Sequence, residues 1–246
     1  MHDFNYKMST AFVTGGSGFI GRAIAAKLKK HGYNVVIGYF LNKERAIKFA
    51  EELNCKAVYI DVSDTASVVN AFKKAREFYG RISLLINCAG IALKQKVITD
   101  VSESEFDELY KVNVRGAFNC VKEVIPDMLY SGGGDIINVS SIWGVYGASC
   151  EVAYSATKGA INAFTLALSQ ELSPSRIKVN AVAPGFVDSP MNAHLSQEDK
   201  ALFLKENRLE SLTTAEQVAE NIIKVLNSSV TGRIIKIENK KAKTRV

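Results

Sequence analysis

Apolar and polar positions along this chain follow two rhythms in turn, and their alternation predicts strands and helices from end to end. Short runs in which nearly every residue is apolar, such as Ala11-Phe-Val-Thr14 and Val35-Val-Ile-Gly-Tyr39, suit strands covered on both faces. Between them lie stretches with apolar residues three and four apart, the period of a helix with one buried side. Strands are predicted near 9–14, 34–39, 56–60, 82–87, 134–140, 176–182 and 233–238, and helices near 19–31, 43–53, 64–79, 103–130, 154–173 and 214–227. Ser102-Glu-Ser-Glu105 and Thr214-Ala-Glu-Gln217 have the form of capping boxes at two helix starts. Strands that alternate with helices predict an α/β fold, a doubly wound parallel sheet of seven strands with helices on both faces.

The first strand runs directly into Thr14-Gly-Gly-Ser-Gly-Phe-Ile-Gly21, which opens the first helical pattern. Gly15 permits a tight turn, Gly18 lets backbone approach a pyrophosphate, and Gly21 lets helix pack on strand. The helix N-terminus adds amide donors and partial positive charge. This order of parts predicts a Rossmann-like dinucleotide site.

Composition narrows the alternatives. A chain of 246 residues with 47% hydrophobic content can bury the core of one larger α/β domain, and no composition break or repeat marks a second. One domain is expected over 1–239, followed by a basic, disordered tail over 240–246. No apolar run has the length of a membrane span, and the first eight residues lack the core of a signal peptide, so a cytoplasmic protein is expected. Cys55, Cys88, Cys120 and Cys150 are widely spaced and His2, His31 and His194 lack ligand spacing, so reduced thiols and no metal are expected. The net charge of +6 owes much to Lys240, Lys241, Lys243 and Arg245, and without this tail the body is nearly balanced. Nucleic acid is not the expected partner.

Tyr154 and Lys158 lie four residues apart within the pattern at 154–173, which puts a phenol and an ammonium on one helix face. A cation about 4–6 Å from a phenol favours its ionised form and makes it a usable acid. Together with Thr14 to Gly21, Asp61-Val62, Asn87-Cys-Ala-Gly90, Asn113, Ser141 thirteen residues before Tyr154, and Pro184-Gly185, the pair resembles the single-domain short-chain dehydrogenases and reductases over about residues 8–237.

That resemblance implies roles. Tyr154 would protonate the oxygen of a ketone, Ser141 would hydrogen-bond the same oxygen, and Lys158 would hold the nicotinamide ribose while lowering the Tyr154 pKa. Asn113 would support a water that links the lysine to solvent. Gly15, Ser17, Gly18, Phe19 and Ile20 would meet the cofactor at the glycine-rich turn, and Asp61 and Val62 would hold the adenine. Asn87, Ala89 and Gly90 would line the ribose and nicotinamide side, with Pro184, Gly185 and Val187 bordering the nicotinamide. Relatives that prefer NAD usually place an aspartate where Tyr39 stands, whereas Ser17, Asn42 and Lys43 could donate to a 2′-phosphate here, so NADPH is expected over NADH. Phe19 occupies a usual glycine position and gives the turn the form found in sugar-nucleotide epimerases, which need an added substrate domain that this chain has no room for.

The substrate is least defined, because the expected lid, 189–212, is the segment in which relatives differ most. It offers Met191, His194, Leu195, Leu202, Phe203 and Leu204 as an amphipathic helix that could cover a mostly apolar cleft, with a plain packing helix as the alternative. The general likeness is to the 3-oxoacyl-(acyl-carrier-protein) reductases, although basic residues often used for carrier docking are replaced here by Tyr130-Ser131-Gly132 and Ser175. A narrower likeness, in Ser140 to Gly144 and Gly147 to Val152, is to the reductase of 5-aminopentanone-modified elongation factor P. There Glu151 would attract an amine and Trp143 would flank the alkyl chain. A non-catalytic dinucleotide sensor is the alternative of another class. The apolar faces at 103–130 and 154–173 imply a homodimer or homotetramer through helix pairing.

Overall fold

The computed structural model describes residues 9–187, 196–206 and 209–240. Seven strands form one parallel sheet: β1 (Thr10–Thr14), β2 (Asn34–Tyr39), β3 (Lys56–Tyr59), β4 (Ile82–Asn87), β5 (Gly134–Val139), β6 (Ile177–Pro184) and β8 (Ile234–Ile237). Their order is β3-β2-β1-β4-β5-β6-β8. The chain therefore moves outward from β1 to β3, returns to the centre at β4 and moves outward again. Crossovers of this kind put helices on both faces, which is why β1 and β2 are buried at every position except Asn34.

Two cores follow. On one face α1 (Phe19–Lys30) packs against α9 (Ala215–Leu226) through residues such as Ile24, Leu28, Val218 and Ile222. On the other, α3 (Thr65–Tyr79), α5 (Gly116–Tyr130) and α7 (Val152–Leu172) cover Phe12, Leu85, Ile136 and Val179. Helix α2 (Lys43–Glu52) joins β2 to β3. Both expected capping boxes are formed, at the start of α4 (Glu103–Tyr110) and of α9.

Several elements differ from the expectation. The helix expected over 103–130 is α4 and α5 joined by a π-turn at Lys111–Arg115, in which the Gly116 amide reaches back to the Lys111 carbonyl. The Asn113 side chain at this turn is tied to the loop after β4, described below. Helix α6 (Trp143–Tyr146) and an antiparallel pair, β7 (Leu209–Ser211) with β9 (Asn239–Lys240), were not anticipated, whereas helix α8 (Gln197–Glu206) falls in the lid segment where a helix was expected. Lys240, expected in the tail, sits in β9 and pairs with Glu238 at 3.4 Å; Lys241, Lys243 and Arg245 lie outside the described residues. So do Met191, His194 and Leu195 of the expected lid.

Candidate active site

Sheet register builds the floor of the site. Thr14 is the register partner of Asn87, and Asn87 of Asn138, so three polar residues stand side by side at the carboxyl ends of β1, β4 and β5. This is where the strand order reverses, the place where open α/β sheets bind ligands. The Asn87 amide donates to Asn138 Oδ1 at 2.9 Å, and the Asn138 amide donates to Thr165 Oγ1 at 2.9 Å. Thr14 Oγ1 accepts from the amides of Cys88 and Ala89 at 3.0 and 3.1 Å, which pins the loop after β4 to the end of β1. Asn87 Oδ1 is left buried, with no hydrogen-bond partner among the described residues. A small enclosed cavity of about 10 Å³ lies here, lined by Thr14, Asn87, Asn113, Asn138 and Lys158.

Helix α7 supplies the reactive groups on one face, as spacings of three and four require. Thr157 and Lys158 are buried, and the Tyr154 ring is partly buried. The Lys158 ammonium donates to the Val139 carbonyl at 2.9 Å and lies 5.6 Å from the Tyr154 ring centroid. Burial brings the Lys158 pKa down to about 8. The Tyr154 phenol is pushed well up, first by burial and then by the Glu151 charge, while a hydrogen bond from Ser141 acts in the opposite direction. The expected lowering of Tyr154 by Lys158 is therefore absent in this arrangement, because the ammonium is held by the end of β5 and desolvation dominates the phenol.

Ser141 follows β5, and its Oγ accepts the Trp143 amide at 3.2 Å, which leaves the hydroxyl hydrogen free to point at Tyr154. Helix α6 sits directly on α7. A Cβ on Gly144 would lie 2.5 Å from the Lys158 carbonyl carbon, and the Gly144 carbonyl accepts from Asn162 Nδ2 at 2.8 Å. Asn113 accepts the Ile91 amide at 2.8 Å and donates to the Ile91 carbonyl at 2.9 Å and to Thr157 Oγ1 at 3.2 Å. Its side chain thus fastens the loop after β4 to the π-turn and to α7. Gly90 faces the same corner, where a Cβ would stand 3.1 Å from Asn113 Oδ1 and 3.6 Å from Lys158 Nζ.

The residues present fit a dinucleotide. Helix α1 starts after Gly18 with no side-chain cap and no acid in its first turn, so its N-terminal amides and partial charge are available to phosphate. Gly15 has φ +62°, and a Cβ there would meet Ala89 Cα at 2.9 Å; a Cβ on Gly21 would meet the Gly15 carbonyl oxygen at 2.2 Å. Ser17 lies in this turn, with Phe19 exposed and Ile20 partly buried at the start of α1.

At the other end, Tyr39 is buried at the end of β2, Asn42 is left-handed with φ 58° and makes no side-chain cap, and Lys43 opens α2. A wide cleft of about 920 Å³ is lined by these three, Phe40, Tyr59 and Lys74. Asp61 Oδ1 accepts from the Ser63 amide and hydroxyl at 2.9 and 2.7 Å, and Val62 packs under α5, where Asn119 donates to its carbonyl at 3.0 Å. On the far side, Pro184 ends β6, the Gly185 amide donates to the Ile237 carbonyl at 2.8 Å, and Val187 bridges to Thr213.

Sequence reasoning missed Asn138, Thr157 and the Trp143 amide, and took Thr14 only as the start of the turn. Thr157 was accessible from spacing, since it shares the Tyr154 face; the Asn87–Asn138 pairing needed strand register. Among the described residues no group of His, Cys, Asp or Glu could hold a metal ion, and all four cysteines are free. Among them too, no helix is long and apolar enough to cross a membrane.

A family model described as short chain dehydrogenase matches residues 9–200. The chain belongs to that family. Its relatives include the 3-oxoacyl-[acyl-carrier-protein] reductase FabG of Staphylococcus aureus, 34% identical over 93% of this chain and 96% of that one. The uncharacterized oxidoreductase YmfI of Bacillus subtilis is 33% identical over the same shares. Among solved structures, the 3-ketoacyl-(acyl-carrier-protein) reductase of Brucella melitensis complexed with NADH superposes with a TM-score of 0.90, at 28% identity over 96% of this chain and 98% of that one. As a short chain dehydrogenase, the protein is an oxidoreductase with FabG-like relatives.

Proposed function

We propose that the protein reduces a ketone to a secondary alcohol with NADPH, and that the ketone is a 3-oxoacyl thioester. The observation that carries this reading is the meeting of Ser141, Tyr154 and Lys158 at the reversal of strand order, on the same carboxyl edge of the sheet from which the uncapped α1 starts. A reduced nicotinamide bound there would supply hydride to the carbonyl carbon. Tyr154 gives its proton to the carbonyl oxygen as negative charge grows there, and the Ser141 hydroxyl, oriented by the Trp143 amide, donates to the same oxygen. A proton held by a buried phenol stays in place at neutral pH until that charge develops. Lys158 holds the ribose hydroxyls, and Asn113 fixes the loop that carries Gly90 against it.

NADPH is favoured because no acid stands at Tyr39 to repel a 2′-phosphate, while Lys43 and Lys74 outnumber the single acid, Glu77, in the lining of the cleft there. The test is incubation with NADPH and acetoacetyl thioesters, following NADPH absorbance and product together. Equal consumption of NADPH and formation of 3-hydroxyacyl thioester is expected. Tight NADPH binding with no oxidation across a broad ketone panel would overturn the reading in favour of a dinucleotide sensor.

One observation favours a second substrate. Glu151 lies near enough for its charge to act on Tyr154, which suits a ketone that carries an amine, such as the 5-aminopentanone group on elongation factor P. Gain of two hydrogens by the modified factor, measured by mass spectrometry, distinguishes it from the thioester.

A further inference from the structure

One edge of the sheet, β3, is open. In a parallel ladder alternate residues turn both backbone groups toward the neighbouring strand. The Ile60 amide donates to the Tyr39 carbonyl at 2.8 Å, so Lys56, Val58 and Ile60 face β2, while Ala57 and Tyr59 turn their N–H and C=O away from it. Among the described residues no strand lies on that side. Exposed edges are normally blunted by charge, by proline or by a covering element. Here both outward residues are uncharged, and Lys56, the single charge on β3, lies 5.6 Å over the Phe78 ring.

The cleft of about 920 Å³ that begins at Asn42 and Lys43 continues along this edge, between α2 and α3. Phe40, Leu41, Ile47, Tyr59 and Phe78 line it and are all exposed. Tyr59 is propped outward by Tyr39 and Phe40, whose ring centroids lie 6.1 and 6.0 Å from its own. Apolar surface gathered beside unpaired backbone groups marks a place where another strand adds.

The occupant that fits is a second copy of the same strand. Turned about a two-fold axis at Val58, it runs antiparallel and sets Ala57 opposite the partner's Tyr59, and Tyr59 opposite the partner's Ala57. Each such pair exchanges two hydrogen bonds, which satisfies every outward group of Ala57 and Tyr59 at once. The side chains match too, because these two residues share one face of the strand and the small Ala57 leaves room for the partner's tyrosine ring. Charge obeys the same symmetry. Lys74 and Glu77 line the cleft from α3 one turn apart, and reversal brings each Lys74 to the partner's Glu77. A strand from an unrelated protein satisfies the backbone groups but has no reason to carry this pairing of sizes and charges.

We propose that β3 is a self-association edge, through which two copies join their sheets antiparallel across Val58. The inference is independent of the reductase reading, and its surface is separate from the helix faces at 103–130 and 154–173.

Sedimentation of the full chain tests it in a Phe118→Glu background, where the helix pairing is removed from an exposed position. Phe118→Glu protein should still form dimers. Adding Tyr59→Pro takes away an outward donor and no bond to β2, and should raise the dimer dissociation constant at least about tenfold. Adding Tyr59→Lys keeps that donor, places a charge on the edge, and should weaken the dimer in the same direction. Thermal melting identifies which of the two variants is folded, and either one suffices. Amide exchange at Ala57 and Tyr59 should slow about tenfold as Phe118→Glu protein is concentrated through its dimerisation range, with a smaller change at Val58, which already faces β2. A Phe118→Glu protein that is monomeric at every concentration, or dimers left equally tight by the folded Tyr59 variant, overturns the edge pairing.

Discussion

Lys158 gives its ammonium to the Val139 carbonyl at 2.9 Å, which ties the reactive face of α7 to the end of β5. The group is charged, buried and satisfied by a neutral acceptor, so the charged form loses more by desolvation than that bond returns.

Stability should therefore depend on pH through this lysine. Its pKa is about 8 in the folded protein against 10.5 unfolded, so between those values the unfolded chain binds more protons and stability rises with pH. Below about 8 both states are protonated and the full destabilisation applies. Without added cofactor, the melting temperature should climb more between pH 8 and 10 in wild type than in Lys158→Met. Parallel curves for the two proteins would show that Lys158 is not desolvated as described.

Cofactor preference should respond to Lys43. Its ammonium is at the start of α2 beside Asn42, at the mouth of the cleft. Lys43→Ala should weaken NADPH about fivefold, the scale of one partly exposed charge pair, and leave NADH within about twofold. Equal effects on both, in fluorescence titrations, would place the 2′-phosphate elsewhere.

Asn113 makes two predictions at once. Its removal strips both backbone groups of Ile91 of their partner, which should cost about 1–3 kcal/mol in urea unfolding. Turnover should fall by about 10²-fold, because the loop that carries Gly90 loses its tie to Thr157 of α7. Wild-type turnover in Asn113→Ala would remove this residue from the mechanism.

Assembly is testable without activity. Phe106 on α4, Phe118 on α5 and Leu166 on α7 are apolar and exposed, in keeping with paired helices. Sedimentation should find a dimer or tetramer, and Phe118→Glu should shift it toward monomer. A stable wild-type monomer would contradict the pairing.

Much of the fold was legible because long elements carry a period. The apolar runs of β1 and β2 and the stripe of α9 mark themselves, and the two capping boxes announce their helices. Elements of two to four residues, such as α6, β7 and β9, are too short to show one. The π-turn depends on where Asn113 bonds in space, and no local pattern encodes Ile91 as its partner. The site was legible in the same measure. Tyr154 and Lys158 stand four apart on one helix, whereas the Thr14–Asn87–Asn138 row comes from three strands distant in sequence. The titration of the phenol was misjudged because spacing reports a neighbouring cation but not how deeply both groups are desolvated.

The account turns on Tyr154 as the proton donor, and Tyr154→Phe tests it most directly because the change removes one oxygen and keeps the ring. Steady-state NADPH oxidation with a ketone that wild type reduces should fall by at least about 10³-fold while the NADPH dissociation constant stays within about threefold. Ketone reduction by Tyr154→Phe at a rate near that of wild type would contradict the account.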